Sequence, residues 1–260
     1  MAYAVPNPAI VATVSELWVP PLSPNAENDE FDSSTITGWT RNYTPSASAI
    51  DPLAAFAAGD PRESVNGLTG GVQTPFRHSW YLLQPSGPGL AVGPSFGLHK
   101  QFAGGGALPD GTYMIRCKGE YRFGGIVNDD GQPYLTLCAT LAGAPDLANQ
   151  VLISPLETDN GLIAPQANST IAGVDNITQM PDQENFGDHF EYGAIIRSGN
   201  NFSCFAGNGV NWVYINTFNY TGIPPIDRVF LAISNNAATA PGNMIAGFDF
   251  FRYFATADLP

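Results

Sequence analysis

Two aromatic-rich segments lie at opposite ends of this chain, and together they limit its fold more than any other feature. Near the start runs Asp29-Glu30-Phe31-Asp32, followed by Ile36-Thr37-Gly38-Trp39-Thr40. At the end runs Gly247-Phe248-Asp249-Phe250-Phe251-Arg252-Tyr253-Phe254. Aromatic strands at both ends predict a sheet whose first and last strands are neighbours, the habit of an antiparallel jelly-roll sandwich. The final strand reads apolar on both faces. Strict alternation puts Phe248, Phe250 and Phe254 on one face and Phe251 and Tyr253 on the other, which makes it an interior strand.

The rest of the chain reads the same way. Tyr113, Ile115 and Cys117 alternate with Met114, Arg116 and Lys118. Tyr134-Leu-Thr-Leu-Cys138 follows the turn Asn128-Asp129-Asp130-Gly131. Phe190, Tyr192, Ala194 and Ile196 share a face, with His189, Glu191 and Arg197 opposite. Strands at 202–205 and 212–215 follow turns at Gly199-Asn200-Asn201 and Asn208-Gly209. Val229-Phe-Leu-Ala-Ile233 is a continuous apolar run, so it is predicted to be a strand covered on both faces. The one helix signal is 51–59, with Asp51 as cap, Pro52 in the first turn and Gly59 as terminator. No helices alternate with the strands, so a parallel α/β sheet is excluded. The Asn-, Gly- and Asp-rich segment 154–188 reads as a long loop, and loops of that length carry binding or interface roles.

Residues 1–28 form a separate Pro-rich arm and 29–260 the sandwich domain. The arm holds five prolines and a short apolar stretch with Ile10, Val14, Leu17 and Trp18. It cannot build a core of its own. It is expected either to pack on its own domain or to dock on a neighbouring subunit, burying Trp18 and the apolar stretch.

Of the 260 residues, 13% are charged and 44% hydrophobic, with 28 Gly and 22 Pro, which suits short strands and tight turns. Net charge is −13 and the only lysines are Lys100 and Lys118, so no basic stripe exists for nucleic acid. No apolar run reaches the ~18 residues of a membrane span, and the N-terminus lacks the pattern of a signal peptide. The three cysteines, Cys117, Cys138 and Cys204, are odd in number and widely spaced. They are expected as buried small hydrophobes in a reducing compartment. The five Asn-x-Ser/Thr sequons are read as chance.

Chemical motifs are weak. Gly93-Pro-Ser95-Phe-Gly97 fits the nucleophile-elbow pattern but lacks the strand-to-helix context. His78, His99 and His189 have no metal spacing. Glu184, Asp188 and Glu191 cluster as a glycosidase pair would, but only Glu191 falls in a strand. Asn128, Asp129 and Asp130 could offer oxygens to Ca²⁺, but the tight turn explains the same residues and is the preferred reading. Neither a catalytic residue nor a cofactor or metal ligand is assigned. Trp39, Trp80, Tyr81, Tyr121, Trp212, Tyr214 and Tyr220 are candidates to stack on sugar rings.

In order, the pieces Asp29–Asp32 with Trp39, His78-Ser-Trp-Tyr-Leu-Leu-Gln-Pro85, Leu108-Pro-Asp-Gly-Thr-Tyr113, Ile196-Arg-Ser-Gly-Asn-Asn-Phe202, Gly207-Asn-Gly-Val-Asn-Trp212 and Gly247–Phe254 span about residues 29–255. Their order and spacing resemble the concanavalin A-like lectin/glucanase superfamily, in the LamG-like form common in bacteriophage structural proteins. The resemblance implies a two-sheet jelly roll whose concave face often carries ligands. It brings no catalysis, because the Glu-x-Asp-x-x-Glu strand of the glucanase branch is missing, and no Ca²⁺ ligands can be carried over.

The expected protein is therefore a non-enzymatic bacteriophage virion surface protein, such as a capsid decoration, head-fibre or tail-appendage subunit. It would be made in the host cytoplasm, docked by its arm to other virion proteins, self-associated, and weakly adhesive to cell-surface glycans. The alternatives are a glycan-degrading depolymerase and a Ca²⁺-dependent lectin module.

Overall fold

A computed structural model describes residues 25–31, 36–42, 62–65, 80–85, 96–122, 131–159, 162–180, 190–208, 212–221, 224–235 and 243–255. Residues 1–24 of the arm, with Ile10, Val14, Leu17 and Trp18, the helix at 51–59, the turn residues 128–130, Ser95, His78, Glu184, Asp188 and His189 lie outside the described residues.

In chain order the strands are β1 (Thr40–Arg41), β2 (Arg62–Val65), β3 (Trp80–Pro85), β4 (Phe96–Lys100), β5 (Gly111–Arg122), β6 (Gly131–Leu141) and β7 (Ala144–Asp159). They continue as β8 (Leu162–Ile171), β9 (Val174–Gln179), β10 (Tyr192–Ser198), β11 (Asn201–Gly207), β12 (Trp212–Asn219), β13 (Arg228–Asn235) and β14 (Asn243–Ala255). They form two seven-stranded sheets, ordered β1-β4-β13-β6-β7-β8-β9 and β12-β11-β10-β5-β14-β3-β2. Every pair is antiparallel.

The core lies between the sheets. Leu98, Leu135, Leu137, Val151, Ile153, Val229 and Leu231 face Tyr113, Ile115, Cys117, Ile195, Phe202, Cys204 and Phe251. Period-2 alternation produces this directly, since each strand offers one apolar face to the other sheet. The outward residues of β13, Phe230 and Ala232, are also buried, with Tyr134 and Cys138. The apolar run 229–233 is thus covered on both faces, as its composition predicts. All three cysteines are free and buried. Burial raises each thiol's pKa, Cys138 to about 12.

The first and last strands are not sheet neighbours as expected: β1 pairs with β4 in the first sheet, whereas β14 lies between β5 and β3 in the second, and only the segment before β1 touches β14. Asp29 and Phe251 exchange backbone hydrogen bonds of 2.8 Å in both directions. Asp29 Oδ2 accepts from the Trp39 indole at 2.8 Å, and Trp39 packs edge-on against Phe251 at 5.5 Å. The contact is a single bridge rather than a full strand, because β3 already occupies the edge of β14 along Asn243–Phe248.

Three further sequence expectations need correction. Phe248 is not on the face of Phe250 and Phe254. A bulge between Phe248 and Phe250 inserts Asp249, so Phe248 joins Phe251 and Tyr253 in the core while Phe250 and Phe254 face outwards. Phe190 likewise leaves the face of Tyr192, since it precedes β10 and turns into the core. The segment 154–188 is not a long loop over its described part, which is strand almost throughout, in β7, β8 and β9. In β8 the inward Ala167 and Ser169 are small and the flanking Gln166 and Asn168 polar, so hydrophobic alternation does not mark it. The turns of the β6–β7 and β8–β9 hairpins, Ala142-Gly143 and Ala172-Gly173, have both residues at positive φ, the type I′ pattern.

Candidate ligand-binding face

The outer face of the second sheet gathers aromatic and charged groups, among them the half-buried Tyr192, Trp212 and Tyr214 and the partly exposed Arg116 and Asp249. Four strands distant in sequence supply it. β5 gives Arg116, β10 gives Tyr192, β12 gives Trp212 and Tyr214, and β14 gives Asp249, Phe250 and Arg252. Beneath them lies an outward apolar layer of Met114, Ala194, Phe205, Phe250 and Phe254. On this layer Tyr192, Trp212 and Tyr214 rest half-buried. Tyr192 sits 6.0 Å from Trp212 and 6.1 Å from Phe250, and Tyr214 stands edge-on to Phe205 at 5.5 Å.

Arg116 organises the polar part. Its Nε and Nη2 donate to Glu191 Oε2 at 3.0 and 2.9 Å, and its Nη1 donates to Asp249 Oδ2 at 3.0 Å. The guanidinium lies 5.5 Å over the Tyr192 ring. Burial opposes its charge, but the bonds and charge of Glu191, then Tyr192 and Asp249, outweigh that and raise its pKa. Burial also raises that of the Tyr192 phenol. Arg116 remains 32% exposed, Glu191 24% and Asp249 26%, so the cluster is open to solvent. Two backbone irregularities create it. The β14 bulge turns Asp249 out. Just before β10, Glu191 accepts from Cys117 N and donates to Gly207 O, which leaves its side chain beside Tyr192 on the outer face.

Beside these rings, Ser203 Oγ lies 2.7 Å from Thr217 Oγ1, which accepts from the Tyr214 hydroxyl at 3.0 Å. The Trp212 indole N–H is buried and has no hydrogen-bond partner among the described residues. Flat rings flanked by hydroxyls, carboxylates and a guanidinium can stack on the C–H faces of pyranoses and fix their hydroxyls.

The sugar-stacking candidates separate cleanly. Trp212 and Tyr214 lie on this face. Trp39 and Tyr220 are core residues, 7% and 5% exposed, and cannot stack on a ligand. The side chains of Trp80, Tyr81 and Tyr121 lie outside the described residues. Tyr192 was not singled out by sequence, although its place on an alternating strand beside Glu191 was a usable signal. Among the described residues no group of three or more His, Cys, Asp or Glu side chains could hold a metal ion.

No family model and no curated protein matches the chain. Solved structures do resemble it. A Bacillus licheniformis beta-glucanase matches at TM-score 0.54 and 15% identity, over 87% of this chain and 96% of that one. The Bacteroides ovatus xyloglucan-locus protein GH43B matches at TM-score 0.53 and 15% identity, over 90% of this chain but 40% of that one. A CBM2 module of the evolved Dit protein of Lactobacillus casei BL23 phage J-1 lies at TM-score 0.47 and 13% identity, over 87% and 94% of the two chains, too distant to argue from. At these identities the likeness shows the fold alone: the chain is a concanavalin A-like jelly-roll sandwich.

Proposed function

We propose that this chain is a non-enzymatic carbohydrate-binding protein of a bacteriophage virion surface, and that it binds glycans on the outer face of its second sheet. The gathering of Tyr192, Trp212 and Tyr214 around the Arg116–Glu191–Asp249 cluster carries this reading. It is a half-buried aromatic floor with partly exposed polar groups at its margin. The two carboxylates share one guanidinium, an arrangement that suits hydroxyl recognition better than proton delivery to a leaving group. The virion setting rests on the sequence: the Pro-rich arm with Ile10, Val14, Leu17 and Trp18, and the resemblance to phage structural proteins.

The test is a glycan array with the 260-residue chain, followed by titration of hits against Trp212→Ala and Tyr192→Ala. Each variant should weaken binding about tenfold, the worth of one aromatic contact. A flat array, or full binding by both variants, would remove the reading.

A second reading is a glycan-degrading enzyme. The full-length likeness to a beta-glucanase and the carboxylate pair on an open face favour it. Release of reducing ends by the wild-type chain, abolished by Glu191→Gln, would establish it over the first.

A further inference from the structure

We infer that β9 is a self-association edge, pairing antiparallel with β9 of a second copy through Ile177. Among the described residues the two sheets have four terminal strands. β1 has two residues, β2 is short and charged with Arg62 and Glu63, and β12 is broken by a bulge opposite Cys204 and Phe205. Short length, charge and bulges are the devices that keep sheet edges from pairing. β9, Val174-Asp-Asn-Ile-Thr-Gln179, has none of them beyond Asp175, and it runs in unbroken register with β8. It also carries two of the three exposed large hydrophobics among the described residues, Val174 at 71% and Ile177 at 56%.

The backbone fixes which groups are on offer. Ile171 and Val174 flank the two-residue turn, and Met180 N donates to Pro165 O at 3.1 Å. Hydrogen-bonded pairs in an antiparallel ladder alternate, so Val174, Asn176 and Thr178 bond to β8. Asp175, Ile177 and Gln179 then point their N–H and C=O groups away from the sheet. A two-fold pairing must centre on this strand. Centring on Asp175 would oppose two carboxylates. Centring on Ile177 opposes Ile177 to its own copy, Asp175 to Gln179 and Val174 to Met180. That register buries both exposed apolar residues, opposes no like charges, and lets each outward residue exchange both its hydrogen bonds with its opposite. The interface is isologous and closes as a dimer.

Sedimentation analysis across the micromolar range tests this in solution. The wild-type chain should dimerise reversibly. Ile177→Lys, at an exposed position, should raise the dissociation constant at least tenfold, and mixing it with Ile177→Glu should restore dimers. Hydrogen exchange supplies a readout without substitution: the amides of Asp175, Ile177 and Gln179 should exchange more slowly at high concentration than at low. A monomeric wild type, or an Ile177→Lys variant that dimerises like wild type, overturns the inference, as does exchange of those amides that ignores concentration.

Discussion

Glu30 accepts two hydrogen bonds from Arg252, Nε to Oε1 at 2.7 Å and Nη2 to Oε2 at 2.8 Å, across 222 residues of chain. The fork geometry of guanidinium and carboxylate is met in full. Arg252 is 10% exposed and lies 4.0 Å over the Phe250 ring, so the pair is anchored on the apolar layer rather than loose in solvent. It fastens the segment before β1 to the last strand, beside the Asp29–Phe251 bridge.

Glu30→Gln should therefore destabilise the fold by about 1–2 kcal/mol, as loss of hydrogen bonds to a charged group does. Arg252→Lys should cost a similar amount because an ammonium cannot reproduce the fork. Urea unfolding measures both. Changes below about 0.5 kcal/mol would show that the clasp contributes no more than a solvent-exposed ion pair.

Gly97 lies where β4 passes β13 most closely. A Cβ there would sit 2.1 Å from Leu231 O and 2.5 Å from the Phe230 ring. Both neighbours are fixed, one being backbone and the other a fully buried ring. Gly97→Ala should cost about 3 kcal/mol or more by overpacking. A variant melting within 2 °C of wild type would contradict this.

His99 is buried at 4% exposure, and its Nδ1 accepts from the Arg228 guanidinium. Burial first, and the Arg228 charge second, lower its pKa to about 4 from 6.5. The unfolded chain therefore binds the extra proton between these values while the folded chain does not. Stability should be constant from this source above pH 6.5, fall as pH drops from 6.5 to 4, and level off below, by up to about 3 kcal/mol. His99→Gln should remove that slope from denaturant titrations repeated across the window. A slope unchanged by the substitution would exclude His99 as its cause.

Ala142 and Ala172 adopt φ of 51° and 50° on exposed hairpin tips. A left-handed alanine costs about 1 kcal/mol, whereas asparagine tolerates that conformation in type I′ turns. Ala142→Asn and Ala172→Asn should each stabilise by about 0.5 kcal/mol, additively, since the turns are separate. Thermal unfolding of the single and double variants checks both sign and additivity.

Legibility from sequence followed the range of the interactions involved. The strand Gly111–Arg122 declared itself because alternate burial of Tyr113, Ile115 and Cys117 is a local pattern. β8 did not, because its inward Ala167 and Ser169 are too small to mark a face and its strand conformation is held by pairing with β7 and β9. Of the candidate face, Trp212 and Tyr214 were visible as candidates, but Trp39 and Tyr220 looked the same in sequence and proved to be core.

By itself, the sequence determined an all-β sandwich of many short strands, since alternation, turn residues and apolar runs act within a few residues. Only the tertiary structure decided what stands on its outer face. Strand order brings positions 116, 192, 212 and 249 together, and one inserted residue at Asp249 sends Phe248 inwards and a carboxylate out to Arg116. A bulge shifts side-chain parity by one, and that choice is made by the neighbouring strand's hydrogen bonds, which no local pattern records.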